Sequence, residues 1–248
     1  MDKPIYLVAG ASSGMGRRTA LYLAEHGAHV VVASRREDAC EEVAAQIAKE
    51  GGSATARGFD GTDAQSAADL IDWIEKEFGT LDGSFNNLGH TVGDGPLDET
   101  SLERWQESIA INLSAVFHLM RAEIPLLIKN GGGAIVNNSS TGGLRGTRNM
   151  SDYSAAKWGL IGLTKSAAVE YASQGLRINA IAPGIIETEK FKRIEENIPH
   201  VFEKLRTETP IGRFGDMAEI AETVRWLLAD APGYLNGTVI PVDGGRTA

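Results

Sequence analysis

The sequence holds a single cysteine, Cys40, among 248 residues. It can form no internal disulfide, so a reducing, cytoplasmic compartment is expected. No apolar run approaches the ~18 residues of a membrane span. The first apolar run, Ile5 to Ala9, is too short for a signal peptide. Positive charge is in deficit, with 24 Lys and Arg against 33 Asp and Glu and a net charge of -9. That balance argues against nucleic acid as a main partner, yet leaves room for a small anionic ligand held by a local cluster of donors. Internal repeats, low-complexity runs and flexible linkers are missing too, and nothing suggests a metal site.

Glycine is abundant, 29 residues or about 12% of the chain where ~7% is usual. Much of it is clustered, as expected of tight turns or of backbone that something must approach closely. Apolar runs alternate with helical patterns almost from the first residue. IYLVA (5–9), HVVVAS (29–34), SATARGF (53–59), LDGSF (81–85), AIVNNS (134–139), LRINAIA (176–182) and TVIPV (238–242) read as strands. Between them, 37–50, 64–78, 102–129 and 153–171 read as helices, as does RRTALYLAEH (17–26). Buried strands alternating with helices of ten or more residues imply an α/β fold. We expect one doubly wound, Rossmann-type domain over 1–248, with a parallel sheet of about seven strands and helices on both faces. The charged, helix-prone segment 187–212 reads as an excursion from that sheet on the substrate side. In the helix ending at Tyr171, Ala155, Trp158, Ile161 and Leu163 cannot share one stripe. A helix apolar nearly all round needs cover on both sides, so a homo-oligomer is expected.

AGASSGMG (9–16) follows the first strand and opens the first helix. Gly10, Gly14 and Gly16 there permit close backbone approach, and the helix N-terminus offers free N–H groups to a phosphate. The spacing departs from the usual G-x-G-x-x-G, but the position in a βαβ unit points to a dinucleotide. The second strand ends in Ser34, Arg35 and Arg36 rather than in a carboxylate for a ribose 2′-hydroxyl. Serine with guanidinium attracts a 2′-phosphate, which favours NADP(H) over NAD(H). Tyr153 and Lys157 lie four positions apart, so on a helix both leave one face.

With these features the chain resembles the short-chain dehydrogenase/reductase family over essentially its whole length. The resemblance rests on AGASSGMG, Asp60, NNLG (86–89), Asn112, Ser140, Tyr153-x-x-x-Lys157, PGIIET (183–188) and VIPVDGG (239–245). It implies an enzyme that moves hydride between a nicotinamide and a ketone or secondary alcohol. Tyr153 would be the acid or base, Ser140 the donor to the substrate oxygen, and Asn112 the anchor of a water relaying protons to Lys157. A phenol holds its proton to about pH 10, so Lys157 is expected to favour phenolate, together with the positive oxidised nicotinamide. By the same resemblance the turn Gly10, Ser12, Ser13, Gly14, Met15 and Gly16 takes the phosphates, and Asp60 and Gly61 take the adenine. Asn87, Leu88 and Gly89 line the adenosine ribose; Tyr153 and Lys157 orient the nicotinamide ribose; Pro183, Gly184, Ile186 and Thr188 clamp the carboxamide. The family usually has Ala where Leu88 stands, and often Thr where Ala9 stands.

The substrate walls are expected at His90 to Gly95, Leu144 to Met150 and the 187–209 stretch. Arg145 and Arg148 there either meet an anionic substrate or are solvated. Phe191, Ile194, Ile198 and Phe202 either cover an apolar substrate or pack the excursion down. The family implies a small-molecule carbonyl or alcohol substrate and a tetramer. Three alternatives stay open: a 3-oxoacyl-carrier-protein reductase, an NAD-dependent alcohol or sugar dehydrogenase, and a non-catalytic dinucleotide-binding regulator.

Overall fold

The computed structural model describes residues 3–248. Its strands are β1 (Ile5–Ala9), β2 (His29–Ser34), β3 (Ser53–Gly58), β4 (Gly83–Asn86), β5 (Gly133–Asn138), β6 (Leu176–Pro183) and β9 (Val239–Val242). They form one parallel sheet in the order β3-β2-β1-β4-β5-β6-β9. Parallel strands covered on both faces need apolar side chains on both, which is why β1 and β2 read as continuous apolar runs. Leu7 and Val31 face one core with α3 (Ala64–Phe78), α5 (Ala115–Lys129) and α6 (Ser151–Tyr171). Val8, Val30 and Val32 face the other, with α1 (Gly14–Glu25), α2 (Glu37–Lys49) and α9 (Met217–Arg225). Each such side chain, fully buried, contributes roughly 1.5–3 kcal/mol.

Four features differ from the sequence expectation. The helix expected over 102–129 is α4 (Leu102–Ile109) and α5 joined through a wide π turn, Ala110–Ser114. Asn112 therefore sits in a π turn rather than in regular helix. Periodicity misses such a turn because one extra residue per turn barely disturbs the apolar pattern. The joined helix is long and apolar enough to cross a bilayer by length and composition alone. Here Val116, Leu119, Met120, Ile124 and Leu127 go into the core instead.

Second, β4 starts two residues later than LDGSF suggests. Asp82 is occupied in pinning the start of β1, with Oδ2 accepting from Ile5 N at 2.7 Å. Third, α9 had no place in the sequence reading. It is fixed by a capping box in which Asp216 accepts from Ala218 N at 2.7 Å and Glu219 accepts from Asp216 N at 2.8 Å. The pattern Asp-x-x-Glu before an apolar run was a legible signal for it.

Fourth, the excursion has its own anchor. β7 (Ile186–Glu187) and β8 (Gly215–Asp216) pair in parallel as a second, two-stranded sheet. Between them run α7 (Glu189–Glu195) and α8 (Pro199–Thr207). The break between these helices takes Phe191, Ile194, Ile198 and Phe202 off any common face. The Phe191 and Phe202 rings lie 4.6 Å apart, tilted, and both meet Phe214 edge-on, so this pair packs the excursion down. Ile194 and Ile198 remain 40% and 38% exposed.

Candidate active site

The carboxyl ends of β1 and β4 flank the point where strand order reverses, and a cleft of about 590 Å³ opens there. Gly10, Ser12, Ser13, Ser34, Arg35, Arg36, Asp60, Gly61, Asn87, Leu88 and Gly89, all anticipated, line it. Phe59, Thr62, Ile111 and Ala115 line it as well and were not foreseen, and His90, expected on the substrate wall, belongs here too. Thr62 was hinted at by its neighbour: its N–H and hydroxyl both donate to Asp60 Oδ1, at 2.9 and 2.7 Å. Burial raises the Asp60 carboxyl, but the Thr62 bonds and the Arg35 charge outweigh it and leave the group below its ordinary value.

At Gly10 and Gly16 the turn has no room for a side chain. Gly10 has φ +77°, and a Cβ there would collide with the Asn87 carbonyl oxygen. The first turn of α1 carries no acidic residue, and the Ser13 side chain makes no capping bond. Arg36 folds back across this turn, with Nη2 donating to Ser12 Oγ at 3.0 Å. Bare glycine backbone, an uncapped helix start and two guanidiniums fit a phosphorylated dinucleotide. Ser34 lines the cleft and has a second task. Its hydroxyl is engaged with the Arg36 backbone and with Cys40 Sγ, so it sets the arginine's position. Met15 is half-buried against the core, and Ile186 is buried. Leu88 leans over Gly61 beside Ala115, which accommodates its extra bulk. With alanine at position 9, the turn is held instead by Gly10 N donating to Ala33 O at 2.7 Å and Asn87 Nδ2 donating to Gly10 O at 3.1 Å.

Ser140, Tyr153 and Lys157 do not line the cleft but lie beyond it, where β5 ends and α6 begins. A Cβ on Gly142 would lie 3.4 Å from Tyr153 Cε1 and 3.5 Å from Ser140 Oγ, so the hydroxyl and the ring share one small space. Ser140 Oγ also accepts from Gly142 N at 3.0 Å, which fixes its rotamer. Lys157 is buried, and its Nζ donates to Asn138 O at 2.9 Å and Leu88 O at 3.3 Å. That nitrogen is 5.8 Å from the Tyr153 ring centroid.

Burial pushes the Lys157 ammonium down to about 7. It pushes the Tyr153 phenol up, with the Ser140 hydroxyl pulling the other way. The expectation joined Lys157 to the positive oxidised nicotinamide; in the bare chain only the lysine is present, and the phenol stays above its ordinary value. Two of the lysine's three donors go to backbone carbonyls, and desolvation is the largest influence at both groups.

Asn112 Nδ2 donates to His90 O and Ser108 O at 2.9 and 3.0 Å, while its buried Oδ1 has no protein partner. That oxygen lies against Gly89, whose φ of +106° leaves no space for a Cβ. Asn138, absent from the sequence reading, connects the two ends of the site. Its Nδ2 donates to Asn87 Oδ1 at 2.7 Å, and its carbonyl holds Lys157. A hydrogen-bonded path thus runs from Gly10 through Asn87 and Asn138 to Lys157. After β7, Thr188 caps α7 by accepting from Phe191 N at 3.3 Å. A Cβ on Gly14 would lie 3.9 Å from Thr188 Cγ2, which sets Thr188 beside the glycine turn. Pro183 closes β6 opposite Val242, and Gly184 N donates to Val242 O at 3.0 Å.

A parallel sheet with a glycine turn at its switch point defines a dinucleotide-binding class of protein. Residues 10–247 match the family model described as "Enoyl-(Acyl carrier protein) reductase". The chain is 39% identical over 247 residues to a cyclohexanol dehydrogenase of Acinetobacter sp. (strain SE19), covering 100% of this chain and 96% of that protein. Among solved structures, levodione reductase superposes with a TM-score of 0.93 at 33% identity, covering 98% of this chain and 97% of that one. An actinorhodin polyketide ketoreductase variant solved with NADPH gives 0.93 at 29% identity, over 99% and 98%. The chain belongs to the short-chain dehydrogenase/reductase family and is an oxidoreductase of CH–OH and C=O groups.

Proposed function

We propose that the protein interconverts a secondary alcohol and its ketone with NADP(H) in preference to NAD(H), Tyr153 being the acid–base group. The observation that carries this reading is the meeting of Ser140 Oγ and the Tyr153 ring over Gly142, with Lys157 fixed behind them. When bound, the nicotinamide supplies or takes up hydride and, in its oxidised form, adds a positive charge beside the phenol.

Ser140 Oγ donates to the substrate oxygen and stabilises charge that develops there. Tyr153 Oη gives that oxygen a proton in reduction and removes one in oxidation. Burial alone binds the phenolic proton too tightly for neutral pH, so proton exchange depends on cations gathering around the ring, of which Lys157 is one. Asn112 Oδ1, buried and without a protein partner, accepts from a water that returns protons to Lys157 Nζ. Arg35 and Arg36 favour the 2′-phosphate, with Ser12 and Ser13 beneath Arg36. Asp60 and Gly61 take the adenine, Asn87 to Gly89 the adenosine ribose, and Pro183, Gly184, Ile186 and Thr188 the carboxamide.

The substrate is a ring-borne alcohol or ketone, covered by α7 and α8. The likeness to a cyclohexanol dehydrogenase supports that choice. Phe117, Trp158 and Val169 on α5 and α6 are 46%, 52% and 83% exposed, which supports a second copy against this face in a homotetramer. The lone buried cysteine supports a cytoplasmic setting. The test is a panel of cyclic and open-chain ketones and alcohols, followed at the reduced-nicotinamide absorbance with both cofactors. Turnover of ring ketones, faster with NADPH, is expected. No turnover with any member would refute the reading.

A further inference from the structure

We propose that Arg104 is a positioning residue whose guanidinium straps both substrate-side loops to the helix that carries Tyr153. Its Nη2 and Nε donate to Asp152 Oδ1 and Oδ2 at 2.7 and 3.3 Å. This is a forked, two-point pair in which the carboxylate side chain is only 1% exposed. Asp152 lies in the first turn of α6, next in sequence to Tyr153.

The same Nη2 donates to Asn149 O at 3.2 Å, and Gly95 N donates to that oxygen at 3.0 Å. Asn149 has φ +64°, the one positive φ outside glycine among the described residues. Left-handed backbone at a non-glycine residue costs free energy and persists only where its surroundings fix it. Here Arg104 and Gly95 both fix its carbonyl. Gly93 and Gly95 turn their bare backbone to the guanidinium, since a Cβ on either would lie 3.5 Å from Arg104 Nε or Nη1. One side chain thus touches the 91–95 loop, the 144–150 loop and the start of α6. Ser101 caps α4 by accepting from Arg104 N at 3.1 Å, which steadies the base of the strap. A lysine would supply charge but not the planar fork that serves Asp152 and Asn149 together.

The inference takes from the proposed function only the identity of the reaction, so its test has one arm that needs no turnover. Arg104→Met should speed hydrogen exchange in 91–96 and 144–150 about tenfold or more, with α1 and β1 unchanged. In the kinetic arm it should raise the KM for the carbonyl substrate about tenfold while kcat falls less than about threefold and NADPH affinity is kept. Asp152→Asn keeps the Arg104–Asn149 contact and should leave KM within about threefold of wild type.

Arg104→Met buries an unpaired carboxylate, so the double variant Arg104→Met with Asp152→Leu guards against loss of folding. It replaces the pair with apolar groups and should fold while keeping the fast exchange and the raised KM. Unchanged exchange in both loops, or loss of kcat and NADPH affinity alongside KM, would overturn the strap. So would Asp152→Asn matching Arg104→Met. If wild type turns over no carbonyl or alcohol, the functional reading fails by itself and the exchange arm still decides the strap.

Discussion

Glu123 is fully buried on α5, against the sheet, with no cation beside it among the described residues. Asn86 Nδ2 donates to its Oε2 at 3.1 Å and to Asn137 Oδ1 at 3.1 Å, and Asn137 Nδ2 donates to Thr164 Oγ1 at 2.9 Å. Burial raises the carboxyl from its ordinary 4.5 to about 7, against the smaller opposing effects of Asn86 and Ser84. The folded protein therefore keeps this proton over a range where the unfolded chain has lost it. Stability from this group is fully present below pH 4.5 and is lost as pH rises through about 7. At 1.36 kcal/mol per pH unit, about two and a half units correspond to about 3 kcal/mol.

Glu123→Gln keeps the shape and the acceptor for Asn86 and cannot ionise. Urea unfolding of the cofactor-free protein, at fixed protein concentration, should give wild type a deficit of about 3 kcal/mol against the variant, appearing between about pH 5 and about pH 8. Other titrating groups are common to both proteins and cancel in the difference. Parallel pH profiles for the two proteins would refute the assignment of a neutral, buried carboxyl.

Arg35→Ala should weaken NADPH at least about tenfold while NADH changes less than about threefold, by fluorescence titration; equal losses would remove the 2′-phosphate role. Asn138→Leu leaves the half-buried Asn87 Oδ1 without its donor and should weaken NADPH about tenfold, because losing a hydrogen bond that holds the site in place costs roughly 0.5–1.5 kcal/mol. Unchanged affinity would mean that the path from Gly10 to Lys157 does not support the cofactor.

Strand identities were legible in the sequence because a parallel sheet buries both faces, and so writes itself as runs such as HVVVAS. The glycine turn and the Tyr153–Lys157 pair were legible because each is local, fixed by spacing within one element. Features made by distant segments were not. Arg104 and Asp152 are 48 residues apart, and Asn138 meets Asn87 across 51. No periodicity marks such partners. The π turn at Asn112 was hidden for a related reason: its neighbours, His90 and Gly89, come from another strand's end. Ser34 shows what residue type leaves out. Serine beside arginine suggested an attraction for a 2′-phosphate, but not that the hydroxyl also bonds the Arg36 backbone and Cys40 Sγ.

The electrostatics carry a similar lesson. A lysine one turn from a tyrosine suggests a depressed phenol, whereas the buried ammonium itself falls to about 7 and the phenol rises. Proton exchange at Tyr153 is on this account a property of the loaded site, which makes the phenolic oxygen the point to probe. Tyr153→Phe removes that one oxygen and leaves the ring, Ser140 and the Lys157 anchors in place. Turnover of a ring ketone should fall at least about a hundredfold, with NADPH affinity within about threefold of wild type. Turnover near the wild-type rate in that variant would contradict the account.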